Sequence, residues 1–124
     1  MNQPLHYTII GLMSGTSLDG LDIACCSFSL KNEDWSYSID VAETLPYSIE
    51  WKERLATVEK GSALDLALMD KEYGHFLGKS VVDFINRYHL KPDFISSHGH
   101  TIFHQPENKL TLQIGSGATI AAEC

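Results

Sequence analysis

Between Gly11 and Asp22 the chain sets three glycines, three hydroxyls and two carboxylates, in the order Gly11-Leu12-Met13-Ser14-Gly15-Thr16-Ser17-Leu18-Asp19-Gly20-Leu21-Asp22. Glycine admits positive φ and lets a ligand approach the backbone closely. Successive N–H groups in such a loop, with Ser14, Thr16 and Ser17 beside them, can cradle phosphate oxygens. Asp19 and Asp22 are carboxylates of the kind that hold Mg²⁺ directly or through water. The same residues also suit an ordinary hairpin turn, since Asp19-Gly20 is good turn chemistry. This is not a P-loop, because that motif demands a lysine and none occurs between Met1 and Leu30.

A second cluster is histidine-rich. His98, His100 and His104 follow His75 and His89. In a regular strand residues 98 and 100 share a face, as two metal ligands require. The spacing fixes no third ligand, and Gly99 suggests that the chain departs from regular strand there. Further on, Gln113 and Ser116 flank the turn Gly115-Ser116-Gly117, where Ser116 also suits the N-cap of a following helix. His75 falls within a long amphipathic helix and reads as a packed or solvated side chain. Trp35 and Tyr37 read as sheet packing rather than as a stacking platform for a sugar.

These residues need elements to position them. Tyr7 to Met13 and Leu21 to Leu30 are apolar on both faces, as central strands covered on both sides are. In a third strand Trp35, Tyr37, Ile39 and Val41 alternate with polar or small residues, the mark of a half-buried strand. Short connections make an antiparallel meander the simplest arrangement. After Pro46, Trp51, Leu55 and Val58 share a helical face between the N-cap Ser48 and the stop Gly61. A longer helix opens with the capping-box pattern Ser62-Ala63-Leu64-Asp65. Its stripe is Met69, Tyr73, Phe76, Leu77, Val81, Phe84, Ile85 and Tyr88, and Pro92 helps to end it. Gly74 and Gly78 inside this helix suit close packing onto the sheet. Asp93 to Ser97 reads as a short strand ending at His98, Leu110 to Ile114 as another, and Ala118 to Glu123 as a final helix. The order implies an α/β domain, a mixed sheet with helices on its faces.

The 124 residues suit one domain, with apolar and charged fractions of 44% and 20%, ordinary for a globular protein. A net charge of −7 argues against nucleic acid or an anionic membrane surface as partner. No apolar run approaches the roughly 18 residues of a membrane span. The N-terminus lacks the basic-then-apolar order of a secretory signal, so a cytoplasmic location is expected. Cys25, Cys26 and Cys124 show no disulfide or metal spacing and read as buried thiols in a reducing compartment.

The run from Gly11 to Asp22 resembles the phosphate-binding signature of the anhydro-N-acetylmuramic acid kinases, members of the sugar kinase, Hsp70 and actin superfamily. Ser97-His98-Gly99-His100-Thr101-Ile102-Phe103-His104-Gln105-Pro106 and Thr111-Leu112-Gln113-Ile114-Gly115-Ser116-Gly117-Ala118 resemble the same family, in the same order. The resemblance implies a ribonuclease-H-like (actin-like ATPase) domain and the use of ATP and Mg²⁺. It implies that Gly15, Thr16, Ser17, Leu18, Asp19, Gly20, Leu21 and Asp22 contact ATP. It implies that His98, Gly99, His100 and Thr101 line the amino-sugar pocket; many relatives carry glutamine at position 100. The implied reaction is phosphorylation of 1,6-anhydro-N-acetylmuramic acid, with hydrolytic opening of the anhydro ring to N-acetylmuramic acid 6-phosphate in cell-wall recycling. The family's catalytic aspartate lies in an Asp-Thr-Gly-Pro-Gly-Asn-like segment, which residues 1–124 lack. No catalytic base and no metal ligand set is therefore assigned. The chain is expected to be the N-terminal portion of such a kinase, inactive alone, and a homodimer is compatible. The alternative is a non-catalytic nucleotide- or sugar-binding module on the same fold.

Overall fold

A computed structural model describes residues 5–124; residues 1–4, on which the reading of the N-terminus partly rests, lie outside the described residues. Strands β1 (Leu5–Ser14), β2 (Gly20–Lys31) and β3 (Asp34–Pro46) form the expected antiparallel meander. Helix α1 (Ile49–Thr57), a 3-10 turn at Val58–Lys60 and helix α2 (Ala63–Tyr88) then carry the chain across the sheet. β4 (Phe94–Gln105) returns parallel to β1, a pairing that requires such a crossover. β5 (Leu110–Ile114) pairs antiparallel with β4, and helix α3 (Gly117–Glu123) follows. The sheet order is β3-β2-β1-β4-β5, a mixed sheet with three helices packed on it, as an α/β domain requires.

Local chemistry accounts for the helix boundaries. The Ser48 hydroxyl accepts from the Trp51 amide, and Gly61 closes the 3-10 turn. Ser62 and Asp65 form a complete capping box. α2 ends at Tyr88, where His89 turns left-handed at φ 54° and the Leu90 amide reaches back to the Ile85 carbonyl. Pro92 lies beyond that stop. The C-terminal end of α2 is tied to β3, because Arg87 and Tyr88 both donate to the Glu43 carboxylate.

The core lies between one face of the sheet and the helices. Ile10, Leu12 and Ser14 of β1 sit opposite Cys25, Ile23 and Leu21 of β2, and all six are buried. Tyr73, Leu77, Val81 and Phe84 of α2, Leu55 of α1 and Ile120 of α3 pack on that face. The intervening residues Ile9, Gly11, Met13, Asp22, Ala24 and Cys26 are only half-buried or exposed. Among the described residues, then, the helices cover one face of β1 and β2, and the expectation of two covered faces is not met.

β3 departs further from expectation. Trp35, Tyr37 and Ile39 are 58%, 73% and 62% exposed, while Val41 is half-buried. A β-bulge sets which face they take: Cys25 faces Val41 but Cys26 faces Ile39, leaving Asp40 as the extra residue. Val41 therefore points to the helices, and Trp35, Tyr37 and Ile39 fall on the uncovered face. Tyr37 meets Phe28 there at a ring separation of 6.2 Å.

Two glycine expectations also change. Gly74 and Gly78 serve packing against α3 rather than against the sheet. A Cβ on Gly78 would stand 2.5 Å from Glu123 Cβ, and one on Gly74 would stand 3.0 Å from Thr119 Cβ. His75 is tied to the same helix, its Nδ1 lying 2.6 Å from Glu123 Oε1. The cysteines are all free, yet only Cys25 is buried; Cys26 is half-buried and Cys124 exposed.

Candidate functional site

β1 and β4 run side by side in one direction, so the loop after β1 and the distal half of β4 meet at one end of the sheet. The loop, Gly15 to Asp19, is a tight turn closed by the Leu18 amide on the Gly15 carbonyl at 3.2 Å, with Leu18 left-handed at φ 60°. Thr16, Ser17 and Asp19 are exposed, and Gly15 and Leu18 half-buried. Gly20 is buried against β3, where a Cβ would stand 2.4 Å from the Leu45 carbonyl oxygen. Leu21 is a core residue. Asp22, already inside β2, takes the Thr44 hydroxyl at 2.6 Å. The turn reading and the ligand reading thus divide the segment: Gly20 and Leu21 are accounted for by packing, while Thr16, Ser17 and Asp19 face solvent.

The segment His98 to Thr101 is not a loop after a short strand. β4 continues through it to Gln105, changing partner on the way. Phe94 to His100 pair with β1, and His100 to Gln105 pair with β5. At the crossing point the β1 register slips and Gly99 adopts φ 74°. That break undoes the shared face of positions 98 and 100: His98 is exposed while His100 is buried. His98 faces an open cleft of about 690 Å³ lined by Thr16, Ser97, Thr101, His104, Thr111 and Gln113. His100 borders a smaller cavity of about 250 Å³ with Thr16, Leu18, Glu59 and Thr101. Thr16 and Thr101 line both, so the two signature segments share one site. A groove of about 670 Å³ between Ile85, Ile95 and Ile120 contains neither segment's site residues.

Below the site lies a buried polar network that the sequence reading did not anticipate. Ser14, the last residue of β1, has its Oγ 2.8 Å from His100 Nδ1. The Tyr47 hydroxyl donates to the same Oγ at 2.6 Å and lies 2.5 Å from the Tyr73 hydroxyl. All four residues are at most 5% exposed. Burial pushes both tyrosines above the ordinary phenol value, so they stay neutral donors. Tyr73 lay in the apolar stripe of α2 and Tyr47 after a strand-breaking proline, so neither hydroxyl stood out. Gln113 Nε2 donates to the Thr101 hydroxyl at 3.2 Å, and Asp70 of α2 accepts the Gly115 amide at 2.7 Å. Ser116 is the N-cap of α3, accepting from the Thr119 amide.

Burial holds the His100 imidazole below its ordinary 6.5, against a weaker upward pull from the Ser14 backbone. As pH falls below that ordinary value, the unfolded chain takes up a proton at this ring before the folded chain does. Stability therefore falls with pH until the buried ring itself protonates. We expect urea midpoints to drop between about pH 7.5 and 5.5, and the drop to be smaller in His100→Gln. An equal drop in both proteins would show that this ring is not the cause.

Among the described residues no group of three His, Cys, Asp or Glu side chains is placed to hold a metal ion. Also among them, no helix is long and apolar enough to cross a membrane.

A sequence model of the family described as anhydro-N-acetylmuramic acid kinase matches residues 7–124. Similar proteins carrying that same name include one from a Picosynechococcus strain, 36% identical over 93% of this chain and 32% of its own length. One from Pseudoalteromonas translucida is 37% identical over 91% of this chain and 32% of its own length. One from Francisella tularensis subsp. novicida is 38% identical, over 93% and 33%. The chain spans about a third of the length of the curated relatives it matches. With the match running from Tyr7 to Cys124, the chain belongs to the anhydro-N-acetylmuramic acid kinase family.

Proposed function

We propose that this chain supplies part of the ligand site of an ATP-dependent kinase that converts 1,6-anhydro-N-acetylmuramic acid to N-acetylmuramic acid 6-phosphate in cytoplasmic cell-wall recycling. The observation that carries this reading is the meeting of the Gly15–Asp19 turn with the His98–Thr101 segment across Thr16 and Thr101. A kinase must bring a phosphoryl donor and an acceptor sugar within one transfer distance, and two ligand segments at one sheet end suit that task.

In the reaction, water adds to the anomeric carbon, the bridging oxygen leaves it and takes the γ-phosphoryl group, and ADP departs. The residues of this chain bind and orient. The Thr16 and Ser17 hydroxyls and the turn amides other than that of Leu18, which closes the turn, are donors for phosphate oxygens. His98 and Thr101 are hydrogen-bonding groups on the sugar side, and Gln113 donates to the hydroxyls of both Thr101 and Thr111. Mg²⁺ would neutralise charge on the phosphates, and exposed Asp19 suits holding it, directly or through water; Asp22 has an oxygen on Thr44. Electrostatic stabilisation of this kind is most of what a phosphoryl-transfer site supplies. No residue of this chain is assigned the base that activates the water.

The test is mass-spectrometric detection of the 6-phosphate after incubation with ATP and the anhydro sugar. This chain and the longest product of its gene are assayed side by side. Product from the longer protein alone is the expected result. Turnover by this chain alone would overturn the assignment of the base elsewhere. No turnover by either would overturn the kinase reading in favour of a module that only binds.

A further inference from the structure

The buried network beneath the site has a direction. Tyr73, Tyr47 and Ser14 carry three hydroxyl protons, and three hydrogen bonds join them to each other and to His100. Tyr47 donates to Ser14 Oγ, so its proton is not available to Tyr73. The 2.5 Å bond between the tyrosines is then donated by Tyr73. Ser14 has one proton left to place, and of its two hydrogen-bond partners only His100 Nδ1, 2.8 Å away, is free to accept it. A neutral imidazole that accepts at Nδ1 carries its proton at Nε2.

Nε2 makes no hydrogen bond to a described residue, and among those residues no fully buried side-chain nitrogen or oxygen lacks a partner. Nε2 therefore retains contact with solvent, and His100 borders the cavity beside Thr16 and Thr101. We propose that the Ser14 hydroxyl, itself held by the donor Tyr47, is a positioning device that fixes His100 as the Nε2–H tautomer and presents that donor to the cavity for an acceptor oxygen of a bound ligand.

That the ligand is a sugar or a nucleotide rests on the kinase reading; the tautomer does not. The device also joins the two signature segments physically, since Ser14 immediately precedes the Gly15 turn and His100 follows the Gly99 break. Ser14 is a positioning residue: it acts on the cavity through the ring and reaches no ligand itself. Glutamine at position 100 would present an N–H in the same sense while accepting from Ser14 through its carbonyl oxygen.

The experiment is a long-range proton–nitrogen correlation spectrum of the histidine side chains in the uniformly nitrogen-15-labelled chain, near neutral pH. His100 is assigned by its loss in His100→Gln. The expected pattern is a bare Nδ1 and a protonated Nε2. The reverse pattern, an average of two exchanging tautomers, or a doubly protonated ring would each overturn the proposal. In Ser14→Ala the single tautomer should give way to an averaged one, because Nδ1 loses the hydroxyl that donates to it. In Tyr73→Phe it should persist, because Tyr47 still donates to Ser14. Persistence in Ser14→Ala would show that the hydroxyl does not fix the ring, and would overturn the proposal. Should Ser14→Ala fail to fold, the spectrum of the parent chain still decides whether Nδ1 is bare. None of these readouts needs turnover, so a failed kinase assay and a failed tautomer assignment are separable.

Discussion

Phe84→Ala is expected to lower the stability of the chain by about 3–5 kcal/mol, the usual range for removing a fully buried aromatic ring. Phe84 is 0% exposed, in the turn of α2 that packs on the sheet beneath Arg87 and Tyr88. Its removal deletes the transfer energy of the ring and leaves a void that neighbours on a helix and a sheet cannot fully close. A domain of this size has roughly 5–15 kcal/mol in total, so the variant keeps little margin. The comparison is Tyr37→Ala. That side chain is 73% exposed on the uncovered face of β3, and its loss should change stability by no more than about 0.5 kcal/mol. Urea unfolding of the two variants checks this: the midpoint should fall steeply for the first and hardly move for the second, with similar slopes. A comparable loss in both would mean that the bulge at Asp40 is misplaced and that Tyr37 belongs to the core.

That contrast also marks how far local sequence carries. Helix boundaries were legible because each rests on chemistry within four residues, such as the Ser48 cap and the Ser62–Asp65 box. The meander was legible because short connections leave little else. The alternation of Trp35, Tyr37, Ile39 and Val41 was legible too, yet its meaning was not. A single extra residue in a strand inverts the faces on either side, and nothing in the alternation itself announces it. β4 shows the same limit. Thr101-Ile102-Phe103 is a β-branched and aromatic run that favours strand, but the preceding Gly99 suggested an end rather than a bulge. The segments of the candidate site were identified by motif, and their convergence on Thr16 and Thr101 follows from the parallel pairing of β1 with β4. The hydroxyl chain was invisible because its members lie 26 to 86 positions apart. A tyrosine in an apolar stripe looks like core until its hydroxyl has a partner.

Gly99→Ala should carry the largest effect at the site itself. Gly99 adopts φ 74°, and a Cβ there would stand 2.5 Å from the Ile114 carbonyl oxygen. The left-handed backbone alone costs a non-glycine residue about 1–2 kcal/mol. The contact adds to this, because its partner is backbone rather than the tip of a flexible side chain. Relief requires β4 and β5 to part near the His100–Ile114 pair, or the bulge to flatten. A flattened bulge would return positions 98 and 100 to one face, turning His98 toward the core or His100 away from Ser14. The variant is therefore expected to lose more than about 2 kcal/mol of stability and the single His100 tautomer with it. In the longer product, on the kinase reading, phosphoryl transfer should fall on the order of a hundredfold, as misplacement of a ligand segment by about an ångström does. Gly117→Ala is the matched control. It opens α3 with no heavy atom within 4 Å of a new Cβ, and should be neutral or stabilise by up to about 1 kcal/mol. If Gly99→Ala instead behaves like Gly117→Ala in unfolding and in the histidine spectrum, the break in β4 is not what separates His98 from His100. The hydrogen bond from Ser14 would then have to hold the ring inward without it.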